Sequence, residues 1–96
     1  MKLEDAITHL SARAEAQAQR VTEKYGPFAS AHEAHSVIRE ELEEFFDEVR
    51  KKRELRSKLA LRNECIDIAA AALRYAAQME VEMHGGPKPI PTEEEP

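Results

Sequence analysis

The chain has 96 residues and a formal net charge of -5, and it is 34% charged and 42% hydrophobic. Fifteen of its hydrophobic residues are Ala, so few large side chains remain for the core of a domain whose size class buries proportionally little surface. The single Cys excludes an internal disulfide. A bound metal ion or self-association is therefore the expected reinforcement for so small a domain.

The acidic net charge and the lack of a long apolar run indicate which partners and which location to expect for the protein. A net-negative chain is poorly suited to sequence-independent nucleic-acid binding, which depends on Lys and Arg that neutralise phosphates. No apolar stretch approaches the roughly 20 residues of a membrane-spanning helix, and the N-terminal segment has no signal-peptide pattern. We therefore expect a cytoplasmic protein that binds neither nucleic acid nor a membrane.

The first two predicted helices are separated by clear stop and start signals. The first helix is expected from about residue 3 to 24, because Tyr25-Gly26-Pro27 supplies a glycine cap followed by a proline that cannot continue a helix. Ser30 and Glu33 have the spacing of a capping box, so the second helix is expected from about residue 31 to 52. The first helix is interpreted as a bundle partner without chemistry of its own.

The third helix is predicted from about residue 57 to 83, where His84-Gly85-Gly86-Pro87 ends it. Alternating prolines and a run of glutamates follow, so a single domain of residues 1–84 is expected, with a disordered tail at residues 85–96. β-Branched residues are scattered and period-2 alternation never persists, which argues against strands. The expected fold is all-α, an antiparallel helical bundle completed by homo-oligomerisation.

The second helix combines an apolar stripe with many acids. At 3.6 residues per turn, the stripe consists of Ile38, Leu42, Phe45 and Val49. Glu41 lies along one flank of it, with Glu44 and Glu48 a turn further on. Like charges at these spacings repel each other, so the acids form either a solvated face or a cation site. Glu40 and Glu43 form an alternative Glu-x-x-Glu register, shifted by one residue.

The third helix carries a carboxylate within an apolar segment. Residues 65–73 are apolar around nearly the whole circumference, which predicts a buried helix. Asp67 lies in the middle of this segment, and Glu64 lies three residues earlier on the same face. A buried carboxylate normally finds a cation, a metal or a proton. Asp67 therefore either pairs with Arg62, Arg74 or a base of another subunit, or helps to bind a metal ion.

Two helices that each present acids at i and i+3 can surround a shared space when they pack side by side. Oxygen ligands suit hard divalent cations, and Mg²⁺ in particular binds through a few carboxylates together with water and substrate phosphates. A phosphate-bearing substrate also needs positive charge. Arg62 and Arg74 lie near the face of Glu64 and Asp67 and are the candidate substrate-binding residues.

Glu41-x-x-Glu44, followed after nineteen residues by Glu64-x-x-Asp67, resembles the paired acidic motif of the MazG-like all-α nucleoside triphosphate pyrophosphatases. The resemblance spans about residues 32–74. It implies antiparallel helices assembled as an intertwined dimer or a dimer of dimers, with Mg²⁺, or Mn²⁺ as a substitute, held by the four acids. It also implies hydrolysis of a (d)NTP between the α and β phosphates, which yields a monophosphate and pyrophosphate.

The chain departs from this family pattern at Val37, where many members have a Lys one turn before the first motif glutamate. Glu41 or Glu44 is the expected general base, and the sequence does not choose between them. The alternative function, from a different class, is a non-catalytic helical oligomerisation or regulatory module that retains the fold. A third interpretation is cation binding without hydrolysis.

Overall fold

The computed structural model describes residues 1–85 and forms three α-helices, with no strand within that range. The elements in chain order are α1 at Leu3–Tyr25, α2 at Ala31–Val49, a short 3₁₀ turn at Arg53–Leu55, and α3 at Lys58–His84. The prediction of an all-α fold is confirmed. The predicted tail, apart from the Gly85 turn that follows α3, lies outside the described residues.

The boundary between α1 and α2 follows the predicted signals. Gly26 has φ +79°, a left-handed conformation that favours glycine, and its N–H donates to the carbonyl of Thr22 at 2.7 Å. The Ser30 hydroxyl accepts the N–H of Glu33 at 3.1 Å, while the Glu33 carboxylate accepts the N–H of Ala29 at 2.5 Å. The capping box therefore starts α2 where the sequence predicts it.

The end of α2 differs from its prediction, because the helix stops at Val49 rather than near residue 52. The Arg56 guanidinium donates to the carbonyls of Val49 at 2.9 Å and Lys51 at 3.1 Å. These carbonyls thus obtain a side-chain donor in place of the N–H groups that a longer helix would supply. The basic connection consequently turns back towards α3 as a compact loop.

α1 and α3 run parallel to each other, as two contacts between them show. Gln17 in α1 bonds to Asp67 in α3, and Phe28, just after α1, exchanges two hydrogen bonds with the side chain of Gln78. Both contacts join residues that are 50 positions apart. The offset between α1 and α3 is therefore the same at both contacts. The loop between α1 and α2 is hydrogen-bonded to the second half of α3.

α2 runs antiparallel to α3, which is the central helix and packs against both of the others. Glu48, near the end of α2, contacts Ser57 at the start of α3, whereas Glu41, two turns earlier, lies beside Glu64. α1 and α2 make little direct contact. α1 and α2 therefore pack on two different parts of the α3 surface.

The core is small and is built mainly from small side chains. The buried hydrophobic residues are Ala14, Ala18, Phe28, Ala34, Ile66, Ala70 and Ala71. The expectation that α3 is buried all round is wrong for the single chain, because Cys65 is exposed and Leu73 is 42% exposed. α1 and α2 cover only two sides of α3. Within residues 1–85, no helix combines the length and apolarity needed to cross a bilayer.

Candidate metal centre

Carboxylates from α2 and α3 meet where these two helices pack together. One oxygen from each of Glu41, Glu64 and Asp67 lies within 4.8 Å of the other two, and all three residues are half-buried. Glu41 reaches this place because it shares the α3-facing side of α2 with Ala34 and Phe45, at helical spacing. The structure thus brings together three of the four acids that the sequence analysis proposes as ligands.

The fourth acid, Glu44, lies at the edge of this group. Glu44 is exposed and is not one of the three grouped acids, but its side chain is close enough to hydrogen-bond with both Glu41 and Glu64. Its negative charge nevertheless acts on both Glu41 and Glu64, where it raises the pKa of each carboxyl. The acidic cluster, as we name Glu41, Glu44, Glu64 and Asp67, is therefore one electrostatic unit.

Two carboxyls of the acidic cluster, those of Glu41 and Glu64, have raised pKa values. Burial, followed by repulsion from Glu44, Asp67 and Glu64, raises the pKa of Glu41 to about 7. Burial, followed by repulsion from Glu44 and Asp67, also raises the pKa of Glu64. Carboxylates that crowd together in this way hold protons until a cation compensates their charge. The cluster therefore favours either protonation or a positive partner at neutral pH.

The oxygens of the cluster fit a hard divalent cation. Glu64 Oε1 is buried and has no hydrogen-bond partner within residues 1–85, which is costly for a carboxylate oxygen unless a cation or a proton satisfies it. The donor set consists only of carboxylates, the ligands that Mg²⁺ and Ca²⁺ prefer.

α1 also contributes to the cluster, through a residue that the sequence analysis did not identify. Gln17 Nε2 donates to Asp67 Oδ1 at 2.7 Å in a part-buried position. The interpretation of α1 as a helix without chemistry is therefore incomplete. The available signal was a polar amide beside Ala14 and Ala18, on the edge of the face that packs on α3. Without the register of α1 on α3, that amide could not be matched to Asp67.

The two predicted substrate-binding arginines lie elsewhere. Arg62 donates to the side-chain oxygen of Asn63 at 3.0 Å and borders a small apolar groove beside the N-terminal half of α1. The Arg74 guanidinium lies 4.2 Å from the ring centroid of Phe28, in a groove of about 1100 Å³ between α1 and α3. No member of the acidic cluster lines either groove. The substrate-binding role of these arginines stays a prediction.

Glu48, on the same face of α2, has the opposite environment. Its side chain is buried, its Oε2 accepts the N–H of Ser57 at 2.7 Å, and its Oε1 accepts from Lys51 Nζ at 2.9 Å. The Ser57 N–H, followed by Lys51, lowers the pKa of the Glu48 carboxyl. This glutamate is satisfied by the protein itself and has a structural role.

Comparison of the chain with protein-family models, with curated proteins and with solved structures finds no match. The likeness to the MazG-like pyrophosphatases therefore rests on the two acidic pairs, their order and their spacing, and it remains a hypothesis. The site by itself defines a broader class: an all-α chain in which acids from two antiparallel helices converge at one place.

Proposed function

We propose that this chain is a Mg²⁺-dependent nucleoside triphosphate pyrophosphohydrolase that converts a (d)NTP to a (d)NMP and pyrophosphate. One observation carries the proposal. Two acidic pairs that are distant in sequence converge at one place, where Glu41, Glu64 and Asp67 offer closely spaced oxygens and Glu64 Oε1 has no partner within the described chain. The resemblance of these pairs to the MazG-like motif supplies the reaction class.

The residues that would hold the cation are Glu41, Glu64 and Asp67, with Glu44 at the edge of the cluster. A divalent cation supplies charge neutralisation on the phosphates and activation of a water molecule in phosphoryl-transfer reactions. The triphosphate would meet the acids where α2 and α3 adjoin Gln17 of α1. The chain itself then has to orient its carboxylates and accept a proton from the attacking water.

Glu44 is the better placed of the two candidate general bases. It interacts electrostatically with Glu41 and Glu64, yet it is exposed and does not belong to the three most closely spaced acids. General-base assistance contributes typically about 10²–10⁴-fold to a rate. Gln17 holds Asp67 in place, because its amide occupies one of the two carboxylate oxygens.

Self-association belongs to the same proposal. Large apolar side chains remain exposed on all three helices, including Ile7 at 57%, Phe46 at 55% and Leu73 at 42%. A second copy of the chain would cover such surfaces, as homo-oligomers commonly do. Whether the assembly is a dimer or a dimer of dimers is read from sedimentation equilibrium, and a monomer at micromolar concentration contradicts this part of the proposal.

The decisive experiment is chromatography of a (d)NTP panel after incubation with the protein and Mg²⁺. Monophosphate and pyrophosphate are expected in equal amounts. Glu41→Gln and Asp67→Asn should each remove the product, because each deletes one of the three closely spaced charges. Glu40→Gln is the matched control, since it removes an exposed glutamate next to Glu41 and should retain activity. Absence of turnover with every nucleotide contradicts the proposal.

A non-catalytic oligomerisation or regulatory module is the second candidate, and the exposed apolar residues favour it equally. Thermal melting with and without Mg²⁺ separates the two, because a bound cation stabilises the folded state. A module without a cation site should melt at the same temperature in both conditions. A melting shift without any nucleotide product instead indicates cation binding without hydrolysis.

A further inference from the structure

Two arginines of α1 flank the residue that touches the acidic cluster. Arg13 lies four residues before Gln17, and Arg20 lies three residues after it. Residues at these spacings are neighbours on one face of a helix. Since Gln17 Nε2 bonds to Asp67 Oδ1 at 2.7 Å, this face of α1 lies on the side of the acidic cluster.

Both arginines are available for a ligand. Arg13 and Arg20 are exposed, and within residues 1–85 neither takes part in a hydrogen bond, an ion pair or a ring contact. Other arginines of the chain are engaged: Arg50 bonds to Asp47, and Arg56 bonds to two backbone carbonyls. The face of α1 with Arg13, Gln17 and Arg20 thus presents two uncompensated guanidinium groups on the side where Gln17 contacts the acidic cluster.

We propose that Arg13 and Arg20 bind the phosphate groups of the substrate, on either side of Gln17. This inference rests on the proposed function, because it assigns the anion-binding residues of the same site. The two Cα atoms are about 10 Å apart along the helix axis, at about 1.5 Å per residue. Guanidinium groups form paired, charge-assisted hydrogen bonds with phosphate oxygens, so two of them at this spacing suit an extended polyphosphate.

The arrangement also determines the order of binding. Four carboxylates repel a polyphosphate, and two arginines offset only part of that charge. A polyphosphate is therefore expected to bind only after a divalent cation occupies the acids. The arginines then contribute to the affinity for the anion and not to the affinity for the cation, since they are not cation ligands.

The test compares two double variants that lose the same charge. Arg13→Gln/Arg20→Gln removes the proposed phosphate contacts, and Lys52→Gln/Arg53→Gln removes two exposed basic residues from the connection between α2 and α3. Titration calorimetry with inorganic triphosphate in the presence of Mg²⁺ should show at least about tenfold weaker binding for the first variant. The control should bind triphosphate as the unaltered chain does. Mg²⁺ alone should bind all three proteins with equal affinity.

Several outcomes overturn the inference. They are equal triphosphate affinity in the two double variants, triphosphate binding that does not require Mg²⁺, and no triphosphate binding by the unaltered chain. Failure of the proposed function is distinguishable from these. If the unaltered chain hydrolyses nucleotides and Arg13→Gln/Arg20→Gln leaves KM unchanged, only the arginine assignment fails. If triphosphate binds through the arginines but no nucleotide is hydrolysed, the arginine assignment stands and the enzymatic proposal fails.

Discussion

The interface between α2 and α3 contains carboxylates at two places, and the surroundings shift the pKa of Glu48 and of Glu41 in opposite directions. Near the end of α2, Glu48 is only 7% exposed and receives hydrogen bonds from Ser57 and Lys51, and its pKa is lowered. Two turns earlier, Glu41 faces further acids, and its pKa is raised to about 7. Similar positions on the same helix face therefore stabilise opposite protonation states.

This contrast separates acids that hold the fold together from acids that are available for binding. Both carboxylate oxygens of Glu48 accept N–H groups of the same chain, so neither oxygen is left for an added cation to bind. At the acidic cluster, Gln17 is the only N–H donor among residues 1–85, and it bonds to a single oxygen of Asp67. A half-buried carboxylate without internal N–H donors identifies the candidate site better than the density of acids along the helix does.

The largest expected effect on stability comes from Glu48→Ala. The substitution leaves the Ser57 N–H at the start of α3 and the Lys51 ammonium without their acceptor. The connection between α2 and α3 therefore loses two hydrogen bonds. Thermal denaturation should show a clearly lower midpoint. The matched control is Asp47→Ala, which deletes an exposed acid that bonds only to Arg50 and should melt close to the unaltered chain. Equal melting of the two variants contradicts a structural role for Glu48.

The acidic cluster should show the opposite behaviour in a titration with Mg²⁺ at several pH values. Because the pKa of Glu41 is about 7, a proton competes with the cation below that value. The apparent affinity for Mg²⁺ should therefore fall by about tenfold between pH 8 and pH 6, as expected for release of one proton. Titration calorimetry in two buffers of different ionisation enthalpy measures that proton directly. Binding without proton release means that Glu41 is not a ligand.

Glu41→Gln should stabilise the metal-free protein at pH 8. A carboxyl whose pKa is higher in the folded state contributes stability below its unfolded value, and the contribution is lost as the pH rises through about 7. The full shift corresponds to about 3 kcal/mol, which solvent screening at a half-exposed residue reduces to roughly 1 kcal/mol. Urea denaturation in a chelating buffer measures this gain, which should shrink at pH 5. A lower stability for Glu41→Gln at pH 8 contradicts a repulsive cluster.

Much of the fold was predictable, because its signals are local. Gly26 ends α1 and the Ser30–Glu33 capping box starts α2, as their sequence patterns indicate. The end of α2 was not predictable in the same way. It depends on the guanidinium of Arg56 reaching back to Val49, a contact between residues seven positions apart that no helix propensity encodes.

The candidate site was predictable only in part, since it depends on register between helices. Spacing within α2 and α3 suggested Glu41, Glu44, Glu64 and Asp67. Three of them lie together, and Glu44 is not part of that group. The contribution of α1 was missed, because Gln17 meets Asp67 only through the 50-residue offset between two parallel helices. Arg74 was chosen for its position in the sequence, whereas the structure places it over Phe28, where the aromatic face attracts the guanidinium.

The smallest effect is expected for acids of α2 that belong neither to the acidic cluster nor to the surroundings of Glu48. Their substitution tests whether the cation site uses Glu41 and Glu44 or the alternative pair Glu40 and Glu43. Glu43 is 66% exposed and pairs with Arg39 at 3.2 Å across one turn of α2. An exposed pair of this kind contributes only about 0.5 kcal/mol, so Glu43→Gln should barely change the unfolding free energy. It should also leave the melting shift produced by Mg²⁺ intact, whereas Glu41→Gln should abolish that shift. If Glu43→Gln abolishes the shift instead, the cation site uses the Glu40/Glu43 register, and the acids that face α3 are not its ligands.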